Sequence, residues 1–123
     1  QGYTKMQSML QANPNISGVI SGNDEMALGA IAALKEAGKL EGKIIGGFDG
    51  SPNAVEAVKA GELTYTVLQP VAIFAEEAVR QADYFIKNGT LKVAEEKQLF
   101  DCILVDASIL DIYSFSGPFQ LDR

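Results

Sequence analysis

The sequence predicts an α/β fold, a parallel sheet flanked by helices. Short apolar runs alternate along it with stretches whose apolar residues recur every three or four positions. Capping residues and glycines bracket those helical stretches. Strands and helices in strict alternation are the order of parallel strands joined by right-handed crossovers.

Taken in order, Met6, Met9 and Leu10 lie at helical spacing. That helix stops at Asn13-Pro14, because proline disfavours helix in the residue before it. Residues 16–21 read as a short buried strand with Val19 and Ile20 at its heart. From Asp24 the spacing of Ala27, Leu28, Ile31, Leu34 and Ala37 predicts a helix running to Gly38, capped by Asn23 or Asp24. Residues 44–48 make a second strand that ends at Asp49-Gly50. Ser51-Pro52 is a cap followed by proline at the first helical position, where its missing N–H costs nothing. Val55, Val58 and Lys59 carry that helix to Gly61, and residues 64–68 are β-rich and form a third strand. After Pro70, a long helix shows Phe74, Ala75, Ala78, Val79, Ala82, Phe85 and Ile86, and closes at Asn88-Gly89. Residues 103–105 form a last apolar strand, and the tail from Ser108 to Arg123 is expected to run over the surface.

Composition narrows the function classes. A chain of 123 residues has the length of one compact domain. No apolar run approaches the ~18 residues of a membrane span, so direct membrane insertion is not expected. A net charge of −6 argues against a nucleic-acid surface, which needs clustered Lys and Arg. There is no His, hence neither the commonest general base near neutral pH nor the commonest metal ligand. The single cysteine, Cys102, sits in an apolar run and reads as a small buried thiol; a catalytic thiolate needs a His partner. Glu25 falls one residue into a helix, Glu76-Glu77 and Glu95-Glu96 read as solvated faces, and Gly46-Gly47-Phe48-Asp49-Gly50 lacks the Lys and Ser/Thr of a phosphate loop. No catalytic residue, metal or cofactor is expected. The sequence opens Gln1-Gly2-Tyr3 inside what reads as a helix, without a targeting segment, which suggests a piece of something longer.

In a parallel sheet, ligands sit beyond the carboxyl ends of the strands. Three polar residues follow three successive strands: Asn23, Asp49 and Gln69. An amide donates and accepts at once and a carboxylate accepts from two neighbouring hydroxyls, so together they suit a polyhydroxylated ligand. Each also has a plainer reading. Asn23 serves as a helix cap, Asp49 shapes the turn before Ser51, and Gln69 is a solvated connector before Pro70.

These same residues carry a family resemblance. The run from Asn23 to Ala30 (Asn-Asp-Glu-Met-Ala-Leu-Gly-Ala) resembles the periplasmic ribose-binding protein family, as do Gly47-Phe48-Asp49-Gly50, Ala60-Gly61-Glu62-Leu63 and Thr66-Val67-Leu68-Gln69. The resemblance covers residues 2–106. It implies that Asn23, Asp49 and Gln69 contact a bound pentose, hexose or polyol. It also implies a two-lobed fold with three chain crossings and the ligand in the cleft between lobes. On that analogy residues 1–69 belong to the C-terminal lobe, residues 70–101 to the N-terminal lobe, and residues 102–123 return a strand to the C-terminal lobe and add a tail. The implied function is delivery of sugar to the permease of an ABC importer, outside the cytoplasm, with no enzymatic step. The competing expectation is the effector-sensing domain of a lactose-repressor-type regulator, which shares the two-lobed fold.

Overall fold

A computed structural model of the chain describes residues 1–93 and 98–110. The expectations for Glu95-Glu96 and for the tail beyond residue 110 lie outside the described residues. The elements are α1 (Gly2–Ala12), β1 (Gly18–Ile20), α2 (Asp24–Glu36), β2 (Ile44–Gly46), α3 (Pro52–Lys59), β3 (Tyr65–Leu68), α4 (Val71–Asn88) and β4 (Ile103–Asp106). The strands form one sheet in the order β1-β2-β3-β4, and the β1–β2 and β2–β3 pairs are parallel. The chain is thus α/β, as its periodicities predict. Length alone predicts one compact domain, yet the chain divides into two compact units. The first is Gln1–Leu68 with the segment that begins at Leu104, and the second is Gln69–Ile103.

Helix α2 organises the first unit. Ala27, Ala30, Ile31, Ala33 and Leu34 are buried along one of its faces and join Met6, Ile45, Ala54, Val58 and Leu63 in the core. The helix begins where the Asn23 side chain accepts a hydrogen bond from the Met26 N–H at 2.9 Å, which satisfies one of the orphan donors of the first turn. Asp24 and Glu25 in that turn and Lys35 in the last one complement the helix dipole. Helix α3 begins in the same way: Ser51 Oγ accepts from the Ala54 N–H at 3.3 Å, and Pro52 occupies the first helical position. Helix α1 packs on α2 through buried Met6. At its outer end the Tyr3 hydroxyl donates to Glu36 while accepting from Gln7 Nε2 at 2.9 Å. The bond to Glu36 holds the Tyr3 phenol above its ordinary pKa.

Three expectations about burial need correction. Ile20, predicted as the heart of a buried strand, is 86% exposed, and β1 is confined to three residues. The Val19-Ile20 run reads as a strand covered on both faces, the habit of parallel sheets. Val19 packs against the core, but the face that carries Ile20, Ile44 and Leu104 is left bare by the described residues of the unit. Cys102 is exposed as well, because β4 starts one residue later and the thiol precedes the buried part of the strand. Glu77 is not simply solvated: it is half-buried, pairs with Arg80 and accepts from Gln81 Nε2 at 2.5 Å.

The second unit is mainly α4, an 18-residue helix that closes at Gly89 in the left-handed conformation. None of its described residues is fully buried, although Phe74 meets Phe100 edge to face at 5.2 Å.

The contrast between the two faces is measurable. Leu34→Ala should lower the unfolding free energy by about 2–5 kcal/mol in urea denaturation, since Leu34 is completely enclosed. Ile20→Ser should change it by no more than about 0.5 kcal/mol in the isolated chain.

Candidate functional site

The loops leaving β1, β2 and β3 are stitched together by their backbones. Ser21 N–H donates to Gly46 O at 3.0 Å, Asp24 N–H to Phe48 O at 2.9 Å, and Asp49 N–H to Val67 O at 2.9 Å. Asp49 also forms an isolated parallel bridge with Leu68. The segment holding Asn23 therefore abuts the one holding Asp49, and Asp49 stands beside Leu68, whose next neighbour in the chain is Gln69. Asn23 is half-buried with its side-chain oxygen engaged as the cap of α2, Asp49 is exposed, and Gln69 is half-buried at the start of the second unit.

Beneath this edge lies a buried polar knot that the sequence reading passed over. Asp24 and Thr66 are fully enclosed. The Asp24 carboxylate accepts from the Thr66 hydroxyl at 2.6 Å through Oδ1 and from the Ser51 N–H at 2.7 Å through Oδ2. Thr66 Oγ1 in turn accepts from the Gly50 N–H at 3.1 Å. One signal for Asp24 was present in the sequence: residues 24, 27, 31 and 34 share the helical spacing of the core-facing stripe, so a carboxylate there points inward. A buried carboxylate must be hydrogen-bonded, and the two donors supply that.

The knot dictates the loop between β2 and α3. Gly47 packs directly on the Asp24 carboxylate, where a Cβ would overlap Oδ1. Gly50 has φ of 72°, and a Cβ there would sit 2.7 Å from Leu68 Cα, so both shape and space demand glycine. Between them, Asp49 has φ of 131°, an uncommon conformation for a residue with a side chain, at a cost of order 1–3 kcal/mol.

The second unit carries grooves of its own. A groove of about 490 Å³ in the second unit is lined by Phe74, Ala78, Leu99 and Phe100 with Glu77, Gln81 and Gln98. Its carboxylate is already engaged by Arg80 and Gln81. Among the described residues no cluster of His, Cys, Asp or Glu side chains is arranged to hold a metal ion.

The chain is an α/β module whose carboxyl edge, the side on which such sheets hold ligands, presents an amide and a carboxylate over a buried hydrogen-bonded network. The chain belongs to the periplasmic binding protein domain family, which matches residues 1–90. It is 55% identical over 109 residues to the D-apiose import binding protein of Actinobacillus succinogenes, covering 88% of this chain and 34% of that protein. It is 40% identical over 88 residues to the ribose import binding protein of Escherichia coli, covering 72% of this chain and 29% of that protein. Among solved structures, an ABC transporter solute-binding protein from Actinobacillus succinogenes with bound D-allose matches with a TM-score of 0.81 and 30% identity, over 91% of this chain and 38% of that one. A Bacillus halodurans solute-binding protein with bound myo-inositol matches with a TM-score of 0.78 and 34% identity, over 91% and 38%. The chain spans about a third of the length of the curated relatives it matches.

The knot makes a stability prediction. Thr66→Val should leave the Gly50 N–H and one Asp24 oxygen without partners and cost about 1–3 kcal/mol for each group stranded. Thr66→Ser, which keeps the hydroxyl, should retain most of that stability in the same urea denaturation series.

Proposed function

We propose that this chain is the ligand-gripping part of a two-lobed ABC import binding protein that holds a sugar or polyol in an interlobe cleft and presents it to a membrane permease. The single observation that carries this reading is the placement of the Asn23 and Asp49 segments side by side, with Asp49 bridged to Leu68, along one carboxyl edge of the sheet. In the reading, residues 1–69 belong to the C-terminal lobe, residues 70–101 to the N-terminal lobe, and residues 102–123 return to the C-terminal lobe. The protein works outside the cytoplasm, as its family's name implies. The import binding proteins among its relatives favour transport over a regulator's effector domain. Further chain of the same protein then covers the bare sheet face around Ile20, Ile44 and Leu104, in keeping with relatives about two and a half times as long.

The chemistry is recognition without reaction. Asn23 engages its oxygen with the Met26 N–H, and in this reading its side-chain N–H₂ donates to a sugar oxygen. Asp49 accepts from sugar hydroxyls, and Gln69 both donates and accepts. A charged hydrogen bond contributes about 1.5–3 kcal/mol and a neutral one about 0.5–1.5, so the three give roughly 2.5–6 kcal/mol. Association costs roughly 4–15 kcal/mol, and micromolar affinity needs a surplus of about 8. The second lobe must supply the difference. Sugar that bridges both lobes then favours the closed state through contacts the open state lacks, and the closed form is what the permease reads.

A thermal-shift screen of the full-length protein against D-apiose, D-ribose, D-allose and myo-inositol tests the reading. At 100 times its Kd, a ligand should add about 2.7 kcal/mol of stability, and Asp49→Ala should remove the shift. Isolated residues 1–123 should show no binding heat with the same compounds. The absence of any shift in the full-length protein, or tight binding by the isolated chain, would count against it.

A further inference from the structure

We propose that Asp24 is a positioning residue for the binding edge: from beneath the surface, its carboxylate fixes the Asp49 loop through Thr66, Gly50 and Ser51. The inference rests on the reading of Asp49 as a sugar contact.

Four bonds bracket Asp49 on both sides. Phe48 O accepts from Asp24 N–H, Asp49 N–H is held by Val67 O, Gly50 N–H by Thr66 Oγ1, and Ser51 N–H by Asp24 Oδ2. Two of these end on Asp24 itself, and a third reaches it through the Thr66 hydroxyl. A backbone at φ of 131° persists only when its surroundings over-determine it, and here they do so residue by residue. Packing alone does not call for a carboxylate at this place. A hydrophobe of similar volume on the buried face of α2 fills the space without desolvating a charge. What it lacks is two acceptor oxygens aimed at two different elements, the β3 hydroxyl and the first amide of the α3 cap. Asp24 therefore ties α2, β3 and the start of α3 to one point directly under Asp49, the kind of support that keeps a binding group within a fraction of an ångström of its productive position.

The test uses the full-length protein and isothermal calorimetry with D-apiose, D-ribose, D-allose and myo-inositol. Asp24→Asn offers one acceptor oxygen in place of two, and should weaken the best-bound of these sugars by about tenfold or more. Asp49→Asn keeps a hydrogen-bonding group at the edge and provides the second arm of a cycle. In that background Asp24→Asn should change the affinity less than about twofold, while lowering the unfolding temperature as much as it does alone. If Asp24→Asn folds poorly, the pair Thr66→Val and Thr66→Ser asks the same question. The first should weaken binding and the second should keep it. Affinity that stays within about twofold on Asp24→Asn or Thr66→Val, with only stability lost, overturns the positioning role. So does an equal loss with and without Asp49. If none of the four sugars binds the unsubstituted protein, the reading of the edge as a sugar site falls, and the positioning role falls with it.

Discussion

One buried carboxylate governs the architecture of the first unit. Asp24 is fully enclosed, and a carboxylate in that place is tolerable only if both oxygens are satisfied. Its neighbours follow from that demand. Thr66 supplies a hydroxyl where β3 would otherwise carry an apolar residue, and Ser51 presents its amide to Oδ2 while its own hydroxyl caps α3. Gly47 leaves room for the carboxylate to reach across. The start of α2, the loop after β2 and the middle of β3 are thereby tied at a single point. Loops ordinarily tolerate change because few bonds restrain them; here every residue from Phe48 to Ser51 has a backbone group anchored.

The elements were legible because local chemistry fixes them. Asn23, Ser51-Pro52 and Gly89 mark helix ends by mechanisms that act within a few residues, and the 24–27–31–34 stripe marks the face of α2. What escaped the sequence depends on partners far along the chain. Asp24 was read as a cap candidate beside Asn23, since nothing local says that its donors come from residues 51 and 66. Ile20 and Cys102 were misjudged for a related reason. Hydrophobicity reports what a side chain favours, and burial reports whether another layer is there to provide it. Asp49 was named as a candidate, but its positive φ was invisible because Asp-Gly reads equally well as an ordinary turn.

The same network bears on how a weak set of contacts serves a binding protein. An amide, a carboxylate and a second amide do not exceed the cost of association by themselves. Their value on the proposed reading lies in being held in place before ligand arrives, so that little ordering entropy is lost on contact. Asn23 illustrates the economy: its oxygen caps α2, and that bond orients the amide that remains.

Rigidity on one side and insufficiency on the other belong together in such a protein. If a single lobe bound sugar tightly, the open and closed states would hold it almost equally, and ligand would not shift the equilibrium between them. A stiff edge with only a few directional groups contributes specificity and a defined pose, while most of the affinity is deferred until a second surface closes over the ligand. The coupling of binding to closure then depends on the first surface not yielding when the second arrives. On the proposed reading the Asp24 knot supplies that resistance, because the backbone around Asp49 cannot swing without breaking bonds that end on a buried carboxylate or on the hydroxyl it holds.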